Sequence, residues 1–218
     1  MSTGQVQLYG LERSVYTRIA RLALEEKGVA YTLHEVEIFG PDGVPAVQRA
    51  RHPFGRIPAF AHGDFQLYET GAITRYIDDA FDGPALQPAD AALRARMNQI
   101  ISVLDAYAYR PMVWGVVVPR MRPRPGDAAP DEVRIAEALA ASARALDALE
   151  SLVAPSPHLL GAALSLADLH AYPVLGCFAY APEGTALLRR HAALQRWWQV
   201  MQQRPSVQRT RSLFDPVA

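Results

Sequence analysis

Two helix starts in this 218-residue chain carry side chains suited to chemistry. At one, Glu69-Thr70 opens a stretch whose apolar positions, Ala72, Ile73, Tyr76 and Ile77, recur at helical spacing. A helix N-terminus presents unsatisfied N–H groups and partial positive charge, so a carboxylate settles there. Glu69 meanwhile accepts charge-assisted hydrogen bonds from an ammonium group. An α-amino acid head carries both groups and suits this corner. Without further context, Thr70 would only cap the helix and Glu69 complement its dipole. At the other start, Ser14 opens the helical pattern of residues 14–27, and Tyr9 ends a short strand five residues before it. Their bland readings are an N-cap hydroxyl and a β-friendly aromatic at a strand end.

The elements that must position these groups follow from periodicity. Val6–Tyr9 alternates as a strand and is ended by Gly10. Residues 14–27 form an amphipathic helix, with Val15, Ile19, Leu22 and Ala23 on one face and Arg18, Arg21 and Glu25 on the other. Gly28 stops it. Residues 29–38 give a second strand, and 39–51 a loop with two prolines and two glycines. Ile57-Pro58-Ala59-Phe60 is a third strand with proline near its start, 61–64 a hairpin turn, and 65–68 a fourth strand.

This βαβ then ββα order, with Pro58 before a strand and Glu69-Thr70 at a helix start, resembles the thioredoxin-like domain of glutathione transferases. PFGRIPAF followed by YETGAI is most similar to phi-like bacterial and plant members. The resemblance implies that Pro58 is cis, that the backbone of Ile57 pairs with the cysteinyl unit of glutathione, and that Glu69 and Thr70 hold its γ-glutamyl end. It implies that Ser14 donates a hydrogen bond to the glutathione sulfur, with Tyr9 as the rival activator. A free thiol near pKa ~8.5 is mostly protonated at neutral pH, and a hydroxyl donor beside a helix N-terminus favours the thiolate. Phi-like members clasp the glycyl carboxylate with basic residues in the loop. Residues 39–51 hold no Lys or His, which leaves Arg49, Arg51 or Arg56 for that task. Gly71 stands where many phi-like sequences have arginine.

Residues 81–89 read as a linker between a thioredoxin-like α/β domain at 1–80 and an all-helical bundle at 90–218. Asp90 caps a helical pattern from Ala91 to about Val118, and Pro111 is expected to kink or split it near Tyr107–Arg110. By resemblance this helix borders the site of an electrophilic co-substrate, which gives Tyr107, Tyr109, Trp114 and Phe178 as its pocket. Residues 119–130 are a Pro- and Arg-rich surface connection or lid, and Asp131 caps a long helix to about Val153. Ser165-Leu166-Ala167-Asp168 is a capping box flanked by Leu164 and Leu169 as a staple, rather than a catalytic Ser-Asp pair. The helix it opens runs toward Ala179, bent near Pro173.

Lys+Arg and Asp+Glu both total 22, so no net field favours nucleic acid or an anionic membrane. One cysteine, Cys177, excludes an internal disulfide and a Cys-x-x-Cys redox pair, and its apolar neighbours make it a buried small hydrophobe. The six histidines show no ligand spacing, so no metal is expected. The start MSTGQVQLYG lacks a signal core, and no run spans a bilayer, so a cytoplasmic protein is expected. The resemblance implies a homodimeric detoxifying transferase with glutathione as co-substrate, no cofactor and an apolar electrophile, Phe54 or Asp105 lying near the subunit boundary. The alternatives are a glutathione-dependent peroxidase, isomerase or dehalogenase, or a non-catalytic glutathione-binding or interaction protein.

Overall fold

Val6, Leu8 and Gly10 are buried while Gln7 and Tyr9 are half-buried, and this period of two makes Val6–Gly10 an interior strand, β1. The computed structural model describes residues 4–121 and 129–213. The chain divides into two units, Met1–Leu86 and Gln87–Ala218. In the first, four strands stand in the order β2-β1-β3-β4, with β2 at Tyr31–Glu35, β3 at Ala59–His62 and β4 at Phe65–Tyr68. β1 and β2 are parallel, and such a pair needs a crossover, which helix α1 (Val15–Glu26) supplies. β3 pairs antiparallel with both β1 and β4. The β3–β4 hairpin turns on Gly63-Asp64, where Gly63 takes φ +59, so Ala61 and His62 belong to the strand rather than to the turn.

α1 is capped by Ser14, whose side chain accepts from the Thr17 N–H, and Gly28 follows its end with φ +66. Gly10 is required by close approach: a Cβ there would come within 2.3 Å of Thr17 Oγ1. The two faces expected of α1 are only half right. Arg18 and Arg21 are buried, 3% and 6% exposed, and nine of the twelve residues of α1 are buried. Arg21 reaches Tyr31 Oη and Glu12 with its tip while its stem lies in the core. Periodicity marks the apolar stripe but does not reveal that the polar side is covered too.

Helix α3 (Thr70–Ala80) packs against α1 through Ile73 and Ile77, both fully buried. Lys27 at the end of α1 ties the two together, its Nζ lying 3.1 Å from Asp78 Oδ1 and 3.2 Å from the Pro84 carbonyl. Short helix α2 (Ala46–Arg51) covers the other sheet face, where Arg51 sits over the Tyr9 ring.

The second unit is helical among its described residues: α4 (Ala91–Val103), α5 (Val118–Met121), α6 (Glu132–Leu152), α7 (Leu166–Ala179), α8 (Pro182–Leu188), α9 (Ala192–Gln202) and α10 (Pro205–Arg209). Pro111 does not split the α4 pattern. Helical turns continue from α4 to α5 in a wider π register, over Leu104–Ala108 and Arg110–Val117. The i→i+5 turn relieves the clash that the proline ring would make in an α-helix. Residues 122–128 of the expected loop lie outside the described residues. α7 is the core of the unit, buried from Leu166 to Phe178 and running through Pro173. Its capping box forms as expected, and Asp168 goes further than a cap. One oxygen accepts from Ser165 N–H and Oγ, at 2.8 and 2.7 Å. The other accepts from Leu159 N–H and Trp197 Nε1, both at 2.8 Å.

Candidate functional site

Strand pairing gathers the chemistry at one end of the sheet. Tyr9 is opposite Ala59, and Ala59 is opposite Tyr68. The chain leaving β1 toward Ser14, the chain entering β3 from Ile57-Pro58, and the chain leaving β4 into Glu69-Thr70 therefore meet at the same edge. No local pattern in the sequence states this; the antiparallel register does.

The start of α3 is built unlike an ordinary cap. Glu69 occupies the N-cap position, with Thr70 as the first helical residue, and the Glu69 side chain makes no cap hydrogen bond. Its backbone has φ +71, the one positive φ at a non-glycine among the described residues. A side chain in that region costs of order 1–3 kcal/mol and persists where the surroundings hold it. The Glu69 carboxylate is 63% exposed. Its carbonyl accepts from Ala72 and Ile73, which leaves the N–H groups of Thr70 and Gly71 without backbone partners among the described residues. Thr70 itself is buried. Gly71, in place of the expected arginine, offers its carbonyl to the Arg75 guanidinium at 2.6 Å, and a Cβ on it would stand only 3.0 Å from that guanidinium.

The peptide bond between Ile57 and Pro58 is cis. Among the described residues, neither the N–H nor the C=O of Ile57 has a hydrogen-bond partner. The loop before it is held from α2: fully buried Gln48 donates its amide to the Arg56 carbonyl at 2.8 Å. One turn on, His52 is 2% exposed, and its Nε2 stands 4.0 Å from Glu69 Oε1. Burial is the main cause that holds the His52 pKa below 6.5, with Arg56 adding to it and Glu69 opposing. Nothing local in the sequence singles out Gln48 and His52. Their i, i+4 spacing is a signal only once α2 is known, and two polar residues in a Pro-rich loop read as surface. Of the three candidate arginines, Arg51 lies 3.8 Å over the Tyr9 ring. Arg49 and Arg56 are exposed and have no ion pair among the described residues.

Ser14 and Tyr9 are now distinguishable by their hydrogen bonds. Ser14 Oγ accepts from Thr17 N–H at 3.3 Å, and this leaves its own O–H free to donate. Capping and activation are thus compatible at one hydroxyl. The Tyr9 phenol donates to Gln7 Oε1 at 2.6 Å, back along β1, and its ring is stacked on His34 with centroids 4.9 Å apart. Arg13 pairs with Glu37 at 2.5 Å. The Phe39 N–H and Arg13 hold the Glu37 carboxyl below its usual range.

Of the four expected pocket aromatics in the helical unit, Tyr107, Tyr109 and Trp114 reach the surface and Phe178 does not. Trp114 and Tyr109 come together through a 3.3 Å hydrogen bond from Trp114 Nε1, and Trp114 is exposed. Tyr107 is 68% exposed. Phe178 is fully buried beneath Gly184 and belongs to the core, because α7 is covered on every side. A cavity of about 240 Å³ lies elsewhere in this unit, among Leu175, Leu188, Arg189, Leu194 and Trp198, and none of the four lines it. Burial pushes the Cys177 thiol up to about 12, so it is inert. Among the described residues there is no cluster of three metal-ligating side chains, and no helix is long and apolar enough to cross a membrane.

A thioredoxin-like unit with this edge, followed by a helical unit whose buried helix α7 opens on a capping box, defines the class of protein. Residues 8–85 match the glutathione S-transferase N-terminal domain family, and residues 109–205 the C-terminal domain family. The chain belongs to the glutathione transferase family, is phi-like, and is a glutathione transferase enzyme. It is 29% identical over 217 residues to glutathione S-transferase 4 of Zea mays, covering 100% of this chain and 96% of that one. Among solved structures it is similar to glutathione S-transferase III in its apo form, at 28% identity and a TM-score of 0.80, over 94% and 95% of the two chains. It is likewise similar to glutathione S-transferase I from mais in complex with an atrazine glutathione conjugate, at 27% identity and a TM-score of 0.81, over 98% and 100%.

Proposed function

We propose that the sheet-end edge binds glutathione in one orientation and that Ser14 activates its thiol. The free backbone pair at Ile57 takes the cysteinyl unit in the manner of a β-strand. The open N–H groups of Thr70 and Gly71 receive the γ-glutamyl carboxylate, and Glu69 receives its ammonium group. Arg56, beside Ile57 and without an ion pair, takes the glycyl carboxylate. Ser14 then points its free O–H at the sulfur and lowers the thiol pKa, each unit being worth about 1.4 kcal/mol. The thiolate attacks an apolar electrophile, displacing a leaving group or adding to a double bond. The related chain that holds an atrazine conjugate supports an aromatic co-substrate.

In this reading residues 1–80 serve glutathione and residues 90–218 supply the electrophile surface through Tyr107, Tyr109 and Trp114, with 81–89 as linker. The protein acts as a cytoplasmic homodimer in detoxification. The observation that carries the reading is the conjunction of an unpaired Ile57 backbone with a Glu69 held at φ +71 and not used as a cap. The test is conjugation of glutathione to 1-chloro-2,4-dinitrobenzene, with the pH dependence of kcat/KM compared between Ser14→Ala and Tyr9→Phe. Ser14→Ala is expected to lower the rate about a hundredfold near neutrality and raise the apparent thiol pKa. An unchanged profile for Ser14→Ala with a shifted one for Tyr9→Phe reverses the assignment.

A further inference from the structure

The C-terminal end of α2 carries an anomaly that binding chemistry resolves. His52 is 2% exposed, and its Nδ1 is buried without a hydrogen-bond partner among the described residues. Its ring is held between aromatic neighbours, with centroids 4.9 Å from Tyr68 and 6.2 Å from Phe54. Its other nitrogen faces a carboxylate that is not yet close enough to bond, Glu69 Oε1 at 4.0 Å. A buried imidazole whose Nδ1 has no side-chain or backbone partner among the described residues is an uncommon state for a polar group. Glu69 is the second anomaly, an N-cap residue at φ +71 whose carboxylate does not cap its helix. One event gives the ring a bonded nitrogen and the carboxylate a fixed donor: the exposed carboxylate moves about 1 Å inward onto the Nε2–H, while Nδ1 stays buried and unprotonated.

We propose that His52 is a positioning residue for γ-glutamyl recognition, its Nε2–H bonding one oxygen of Glu69 while the ligand's ammonium group takes the other. The proposal rests on the glutathione reading above and adds a residue that reading does not need. The proton stays on Nε2, and Glu69 stays ionised between two donors. The imidazole thereby gives a solvent-exposed carboxylate a single orientation, and the gain appears only for ligands bearing the γ-glutamyl ammonium.

The experiment measures inhibition of conjugation by S-hexylglutathione and by S-hexylcysteinylglycine, which lacks the γ-glutamyl unit. The ratio of the two inhibition constants reads γ-glutamyl recognition alone. His52→Phe keeps an aromatic ring and removes the donor, and it is expected to lose about tenfold of that ratio, as for a hydrogen bond to a charged group. His52→Gln restores a donor without the ring and is expected to stay within about threefold of the native ratio. Tyr68→Leu loosens the ring packing and leaves the ratio unchanged. A role in packing alone gives the opposite order, with Phe tolerated and Gln and Leu damaging, and that order overturns the proposal. So does an equal ratio in all four proteins. If the native protein fails to distinguish the two inhibitors, the glutathione reading itself falls, which is a separate result.

Discussion

Two helix starts in this protein use the same kinds of residue and are finished in opposite ways. At α7, every acceptor position of the Asp168 carboxylate that the structure shows is taken, by Leu159, Ser165 and Trp197, and the group is fully buried. At α3, the Glu69 side chain makes no cap bond, its backbone is held left-handed, and among the described residues the next two N–H groups and the neighbouring His52 Nδ1 have no partner. A closed network in low dielectric contributes to stability. An open one, kept in a strained conformation, is what a ligand completes. The two Ser/Thr-and-acid patterns are similar as strings and differ in whether the fold supplies their partners.

The comparison is sharpened by substitutions at each start. The largest effect is expected from Asp168→Ala, which strands the Trp197 indole N–H and two backbone donors inside the core. Unfolding in urea is expected to show a loss of at least ~3 kcal/mol. A loss under about 1 kcal/mol would mean that solvent reaches the box, and the closed half of the contrast would be gone. Glu69→Gly is expected to move the other way in stability, because glycine adopts φ +71 without strain. A gain of up to about 1 kcal/mol in the same assay should accompany a rise of tenfold or more in KM for glutathione. Loss of stability on that change would show that Glu69 is structural after all.

The smallest effect is a pH slope. Burial lowers the His52 pKa below 6.5 in the folded protein, so between that depressed value and 6.5 the unfolded chain binds the extra proton. The contribution of His52 to stability is therefore complete above about 6.5 and falls as pH drops below it. Melting temperature in the absence of glutathione should decline from pH 7 to 5, with a shallower decline in His52→Gln. Parallel curves for the two proteins would contradict a buried neutral imidazole.

Much of the fold was legible in the chain itself. Alternation in Val6–Tyr9, the Ser14 and Asp90 caps, Gly28 and the Ser165–Asp168 box all act within a few residues and form as read, the first strand running one residue further to include Gly10. PFGRIPAF and YETGAI are nearly contiguous, and the cis Ile57–Pro58 bond that the resemblance implies forms just before β3. What stayed hidden depends on partners distant in sequence. Arg18 and Arg21 stand on the face opposite the apolar stripe, yet both are covered. Phe178 looked like a pocket residue and is core. Pro111 reads as a kink or a split, and π turns carry the helix through it.

From its order of residues alone the chain determined which segments become strands and helices and which helix starts carry an acid and a hydroxyl, because propensity, capping and period are local. Only the tertiary structure decided which of those groups are left unsatisfied. That depends on the β1–β3–β4 register, which brings three chain ends to one edge, and on α2, which sets Gln48 under Arg56 and His52 beside Glu69. Hydrogen-bond valences are filled or left open by neighbours in space, and a sequence orders neighbours only along the chain.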